Sequence, residues 1–348
     1  MKPATTAAPL QKQVISDLPA VTTRRYAVPY AYVVLAVLIC LLGETALLYG
    51  RSIHLSFVSD DWPILQGSRD LHSVFAVGGG YHYNPIPRLV VFALYSAFGL
   101  QVVPYHIAGI LLFFVGAALV ACLALCLTGR IGIALLAGVI FVAYGSQYEA
   151  AIWGVVGFWH TTSTILYIAG LILYIVSHNP ALTIARRRLT YLGFLIALIL
   201  GPFAHEQTTS LIAACALYRL LVLEHDAGFQ PSALARRAQA WVRDFAAPVA
   251  LILVYLGFKA WMGSQTTTPQ APGLKASWDV LSFTACLGFF QAFVPGLGLH
   301  DLLRLSLDQR GPHYHVRVLI AQVLALSVIS VFVKPVYRFL LAWTALLV

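Results

Sequence analysis

VPYAYVVLAVLICLLGETALLYG, residues Val28 to Gly50, decides the class of this chain. The run is long enough to cross a bilayer as one helix, which needs about 20 largely apolar residues. Its single charged residue is Glu44. Residues 1–27 are polar and mixed and end in Arg24-Arg25, so the segment is not a cleaved signal peptide. The two arginines hold its start at the cytoplasmic face, and the helix exits outward.

The rest of the chain repeats the theme. Of its 348 residues 60% are hydrophobic and 10% charged, and the mean hydropathy is +0.82. A water-soluble domain of this size cannot cover that much apolar surface, so lipid is the solvent. The net charge of +9 is not a nucleic-acid signal, because the basic residues fall in short loops between apolar runs. The five cysteines, Cys40, Cys122, Cys126, Cys215 and Cys286, all lie inside apolar stretches, outside any disulfide or zinc pattern. Cys122 and Cys126, one helical turn apart, read as small packing residues.

Further spans follow at about Pro104 to Leu127, Ile131 to Tyr144, Ile152 to Val176, Thr190 to Ala204, Thr208 to Leu223, Phe245 to Met262, Val280 to Leu299 and Val316 to Val333, with a short apolar segment from Tyr337 to Val348. Alternating them across the membrane puts Arg130, Arg186-Arg187-Arg188, Arg236, Arg237, Arg243, Arg304, Arg310 and Arg317 on the inner side. Hydrogen bonding within each segment makes the spans helical. The expected fold is an all-α, multi-pass membrane protein of about nine or ten transmembrane helices. It has a cytoplasmic tail (1–27), a first module (28–223) with a long outer loop (51–103), and C-terminal helices (224–348).

That topology sorts the acidic residues. Asp60, Asp61, Asp70, Glu149, Glu206 and Asp279 fall outside, with His54, His72, His82, His106, His160 and His205. Glu44, in the outer half of the first span, needs a wet cavity or a partner, since a lone carboxylate at mid-membrane costs on the order of 3 kcal/mol. Glu224, Asp226, Asp244, Asp301 and Asp308 sit among inner arginines and read as solvated loop charge. His160, between Trp159 and Thr161, reads as a hydrogen-bonded packing histidine. The pattern is a polar chamber opening outward.

The outer loop holds the sharpest signal, Ser59-Asp60-Asp61-Trp62-Pro63. It is a good helix start, with Ser or Asp as cap and Pro in the first turn. It is equally a carboxylate pair at a membrane surface, where acidic groups serve a task. Gly78-Gly79-Gly80 lacks the Lys and Ser/Thr of a phosphate-binding loop. Tyr81-His82-Tyr83-Asn84-Pro85-Ile86-Pro87-Arg88 then leads into Leu89 to Phe98, apolar but too short to span, and so a helix lying in the interface. Arg88 either snorkels to lipid or meets a substrate phosphate.

The order of these features resembles the C-type fold (GT-C) polyprenyl-phosphate-dependent glycosyltransferases, in particular the bacterial Asp-Asp-Trp branch and the transmembrane-TPR O-mannosyltransferases. Phe57-Val-Ser-Asp60-Asp61-Trp62, the stretch from His82 through Arg88 to Tyr105-His106, and Ala204-His205-Glu206-Gln207 carry the resemblance. Ser146-Gln-Tyr-Glu149-Ala-Ala-Ile-Trp153 resembles the family's second outer loop. The likeness covers roughly residues 28–223. Relatives usually continue beyond this module, often into a soluble outer domain.

The resemblance implies a location, the bacterial cytoplasmic membrane with the site facing outward, and a chemistry. A sugar passes from a polyprenyl-phosphate donor to the hydroxyl of a lipid, glycan or protein acceptor. Asp60 would be the base and Asp61 would orient it or bind the acceptor. Arg88, His82, Glu149, His205 and Glu206 would meet the donor phosphate or complete the acidic cluster. Asp60, Asp61 and Glu149 could hold a Mg, Mn or Ca ion, which some members need and others do not. Membrane lipids are implied partners and nucleic acid is not. Two other readings fit the same chamber: a transporter or flippase for lipid-linked glycans, disfavoured because the halves show no internal repeat, and a non-catalytic subunit that keeps the fold.

Overall fold

The structure is a computed structural model that describes residues 30–58, 60–76, 83–144, 148–224, 231–265 and 334–340. These residues are helical, with no strand among them. Five helices are long and apolar enough to cross a membrane. The expected spans at 280–299 and 316–333, most of the last apolar segment, and the tail before residue 30 lie outside the described residues.

Helix α1 (Tyr30–Tyr49) carries the opening apolar run and ends in a 3-10 turn, Gly50–His54. Between it and the next long helix lie two short helices, α2 (Asp61–Gln66) and α3 (Leu71–Phe75), and α4 (Pro85–Phe98). Prolines at the first turn of α4 suit a helix start, where the missing N–H has no partner to lose. Gly99, at φ +59°, ends it in backbone geometry that a side chain would strain. Helix α5 (Val102–Thr128) ends at Gly129, whose left-handed φ of +66° lets its N–H bond the Leu125 carbonyl at 2.8 Å. The chain then reverses into α6 (Ile131–Ala143).

Four expected spans change. The fourth span does not begin at Ile152: a short helix, α7 (Tyr148–Ile152), is followed by a break, and α8 runs Gly157–Ser177. The fifth begins earlier, as α9 (Ile184–Ala204), because the Thr183 hydroxyl accepts from Arg186 N–H and starts the helix there. Arg186, Arg187 and Arg188 therefore lie in its first turns, not in a loop. The sixth is composite: a 3-10 turn Glu206–Ser210, α10 (Leu211–Tyr218) and a π-turn Arg219–Leu223. The seventh, α11 (Pro231–Gln265), takes Arg236, Arg237 and Arg243 into the helix as well.

Helix α8 packs along both α5 and α9, and α5 along α6. Small residues set these approaches, as in membrane interfaces generally. A Cβ at Gly138 of α6 would meet Ala121 of α5 at 3.3 Å and Leu41 of α1 at 2.9 Å, and one at Gly170 of α8 would meet Ala197 of α9 at 3.2 Å and Leu211 at 2.7 Å. Three apolar clusters stack along the bundle. One, around Tyr174, Phe194, Tyr218 and Phe245, lies beside the arginine-bearing helix ends. One, around Leu41, Phe113 and Val142, joins α1, α5 and α6, and Tyr49 Oη donates there to the Val142 carbonyl at 2.7 Å. The third, Phe57, Leu65, Val91, Tyr105, Val155 and Phe158, seats the segment between α1 and α5 on α5 and the start of α8. The bundle thus has an arginine end and an acidic-pair end.

Candidate functional site

The two aspartates of the pair have opposite surroundings. Asp61 is fully buried. Its Oδ2 accepts from Val58 N–H at 2.9 Å, and its Oδ1 accepts from Val155 and Val156 N–H at 3.0 Å each. Those last two donors lie in the break before α8, where backbone N–H groups have no helical partner. Asp61 satisfies them from a distant part of the chain and sets a negative charge at the positive end of the α8 dipole. Asp60 is exposed. It stands at the N-cap position of α2 without making a side-chain cap hydrogen bond, so the helix-start reading is not realised through Asp60.

His106 reinforces the same junction. It is buried on α5, and its Nε2 lies 3.0 Å from the Leu55 carbonyl, so that nitrogen carries the proton. A Cβ at Gly154 would lie 3.2 Å from that Nε2, which explains a glycine in the break. The segment after α1 is therefore fastened to the bundle on both sides of Asp60.

One turn beyond the break, His160 is exposed and its ring lies 6.1 Å from that of His205. It faces the site and is not the packing residue the sequence suggested. His205 ends α9 and caps the following 3-10 turn, its Nδ1 accepting from Gln207 N–H at 3.3 Å. Glu206 is next, and its Oε1 pairs with Lys259 Nζ of α11 at 3.0 Å, both side chains about a quarter exposed. A Cβ at Gly201 would come within 2.7 Å of Thr208 Oγ1, so this turn is pressed against the end of α9.

The N-terminus of α4 reaches the same group. Tyr83 packs edge-on against Phe203 and Phe258, the neighbours of His205 and Lys259 in their helices. Buried Asn84, in the orientation that satisfies both its neighbours, accepts from Trp159 Nε1 at 3.0 Å. One turn on, Arg88 is half-buried, and burial draws its guanidinium below its ordinary value. Its Nε is buried without a hydrogen-bond partner among the described residues. Arginine keeps its charge under such a shift, so the end holds a desolvated cation.

Of the residues expected at the site, Asp60, Asp61, Arg88, His205 and Glu206 fall at this end. His82 and the side chain of Glu149 lie outside the described residues. Lys259 was missed, although a lone lysine in the apolar run Leu253 to Trp261 is itself a signal. Among the described residues no three His, Cys, Asp or Glu side chains gather as metal ligands, and both oxygens of Asp61 already accept backbone N–H groups. The expected cation site of Asp60, Asp61 and Glu149 includes one side chain, that of Glu149, outside the described residues. Glu44 carries a buried Oε2 with no hydrogen-bond partner among the described residues, so its expected partner is not among them.

Two readings at the arginine end also change. Asp244 and Glu224 are not solvated loop charges. Asp244 is buried and pairs with Arg219, with His178 Nε2 at 2.8 Å and with Arg243 Nε at 3.2 Å. Glu224 accepts from Arg219 Nε at 2.9 Å and Trp241 Nε1 at 3.0 Å. Cys122 and Cys126 are exposed on α5 rather than packed inside.

Comparison with family models, with curated proteins and with solved structures finds no match to this chain.

Proposed function

We propose that this chain transfers a sugar from a polyprenyl-phosphate donor to an acceptor hydroxyl at the acidic-pair end of the bundle. The observation that carries this reading is the split of the pair: Asp61 is fully buried and held by three backbone N–H groups, which leaves Asp60 exposed on a fixed support. A general base needs both reach and a defined position. In the proposed step the Asp60 carboxylate takes the acceptor proton as the acceptor oxygen bonds the anomeric carbon. The anomeric carbon–oxygen bond to phosphate breaks, and the polyprenyl phosphate leaves with the electron pair. Arg88 is the cation suited to the phosphate charge that grows there, because its buried guanidinium acts in a low-dielectric setting. His205 and Lys259 are its candidate helpers. Asp61 serves as a positioning residue.

Membranes carrying the chain or its Asp60→Asn variant, supplied with labelled polyprenyl-phosphate sugars, test the proposal. Transfer that falls by about 10²–10⁴-fold in the variant, the usual worth of a general base, supports it. No transfer from any donor in a broad panel refutes it.

A further inference from the structure

The arginine end holds a second polar site that the proposed transfer does not use. Between α8, α9 and α11 lies a cleft of about 460 Å³. Three guanidinium groups line it: Arg187 and Arg188 from the first turns of α9, and Arg243 from α11. Arg187 is held in one orientation by donating from Nε to the Ser177 carbonyl at 2.9 Å. Arg188 is exposed, and the Arg243 side chain is 76% exposed. The one carboxylate on the wall, Asp244, is shared by buried Arg219, His178 and Arg243 Nε, and four arginines against one carboxylate leave the cleft an excess of positive charge.

The other wall is apolar. Leu192 lies one turn beyond Arg188 on α9, and Leu195 one turn beyond Tyr191, so both share the cleft-facing side. This ridge belongs to one of the five helices able to cross a membrane, with the arginines at its first turns. Cationic groups at the edge of a span with an apolar strip running inward match a lipid: a charged head, then an acyl chain.

We propose that this cleft binds the phosphate headgroup of an anionic membrane lipid, with an acyl chain lying along Leu192 and Leu195. Guanidinium groups suit phosphate oxygens because they offer paired, charge-assisted hydrogen bonds. Basic pockets between transmembrane helices take phosphate headgroups for this reason. A free phosphate would satisfy the arginines equally but would leave the leucine ridge unused.

The test uses the purified full chain in detergent, titrated with phosphatidylglycerol, phosphatidylcholine or inorganic phosphate, with retained lipid counted by native mass spectrometry and unfolding followed by heating. Phosphatidylglycerol is expected to be retained and to raise the unfolding temperature. Each of Arg188→Gln and Arg243→Gln should weaken its apparent affinity by about 5-fold, and the pair by about 25-fold. Arg130→Gln, on the α5–α6 link at the same end, should change it by less than about 2-fold. Both cleft arginines are exposed, so the variants should fold, with unchanged helical circular dichroism. Equal retention by the double variant overturns the site. So does equal weakening by Arg130→Gln, which would reveal a general basic surface. Protection by inorganic phosphate alone, with no gain from phosphatidylglycerol, overturns the lipid as occupant.

Discussion

Each end of the bundle buries an aspartate, and the two are satisfied by different means. At the acidic-pair end Asp61 is held by three backbone N–H groups. At the arginine end Asp244 is held by side chains: Arg219, His178 and Arg243. A carboxylate bonded to backbone fixes the path of the chain around it. A carboxylate bonded to long side chains fixes which helices lie side by side, here α8, α11 and the π-turn after α10. The first arrangement serves a loop that must hold an exposed neighbour still. The second serves the closure of a bundle.

The largest expected effect comes from breaking the backbone clamp. Asp61→Ala takes the acceptor from the Val58, Val155 and Val156 N–H groups, that of Val155 buried, and should cost about 3–5 kcal/mol in thermal or denaturant unfolding. Asp60→Ala, on the exposed neighbour, should stay within about 0.5 kcal/mol. Equal costs would erase the distinction between the two aspartates. Asp244→Ala should follow at about 3 kcal/mol, because it strands the buried Arg219 charge. A double-mutant cycle of Arg219 with Asp244 then sharpens the contrast, since it should return a direct side-chain coupling, whereas the hydrogen bonds of Asp61 run to backbone.

Smaller effects probe how the site is seated. Gly201→Ala drives a methyl into Thr208 and should cost about 1–3 kcal/mol while displacing the turn that bears His205 and Glu206. Asp70 lies between α2 and α3, and hydrogen bonds from Ser73 hold its carboxyl below the usual aspartate value. A lowered folded value means its contribution is full above the unfolded aspartate value and fades as pH falls through the folded one. Asp70→Asn should therefore flatten the acid limb of the unfolding profile only slightly, because the group is fully solvated.

The helical membrane class was legible from α1, α5 and α6, whose apolar runs end within a few residues of the expected limits. The break before α8 was not, because Gly154, Val155 and Val156 are apolar and hydropathy reads straight through them. Its cause is the distant Asp61, and a hydrogen bond between residues 94 apart leaves no local trace. The same holds for Asp244, which neighbouring arginines made look solvated although its partner Arg219 comes from another helical segment. The carboxylate pair itself was visible as charge at a lipid boundary. Which of the two aspartates is structural followed only from burial. Lys259 stood in the sequence as a lone charge in an apolar run, and its partner Glu206 became apparent only when α11 crossed the end of α9.

The central claim is the division of labour between Asp60 and Asp61, and one paired measurement reaches it. Asp60→Asn and Asp61→Asn are compared in the same membranes for unfolding temperature and for transfer from labelled polyprenyl-phosphate sugar. The account predicts that Asp60→Asn keeps the unfolding temperature and loses transfer by at least about 100-fold, whereas Asp61→Asn lowers the unfolding temperature. Undiminished transfer by Asp60→Asn would contradict it.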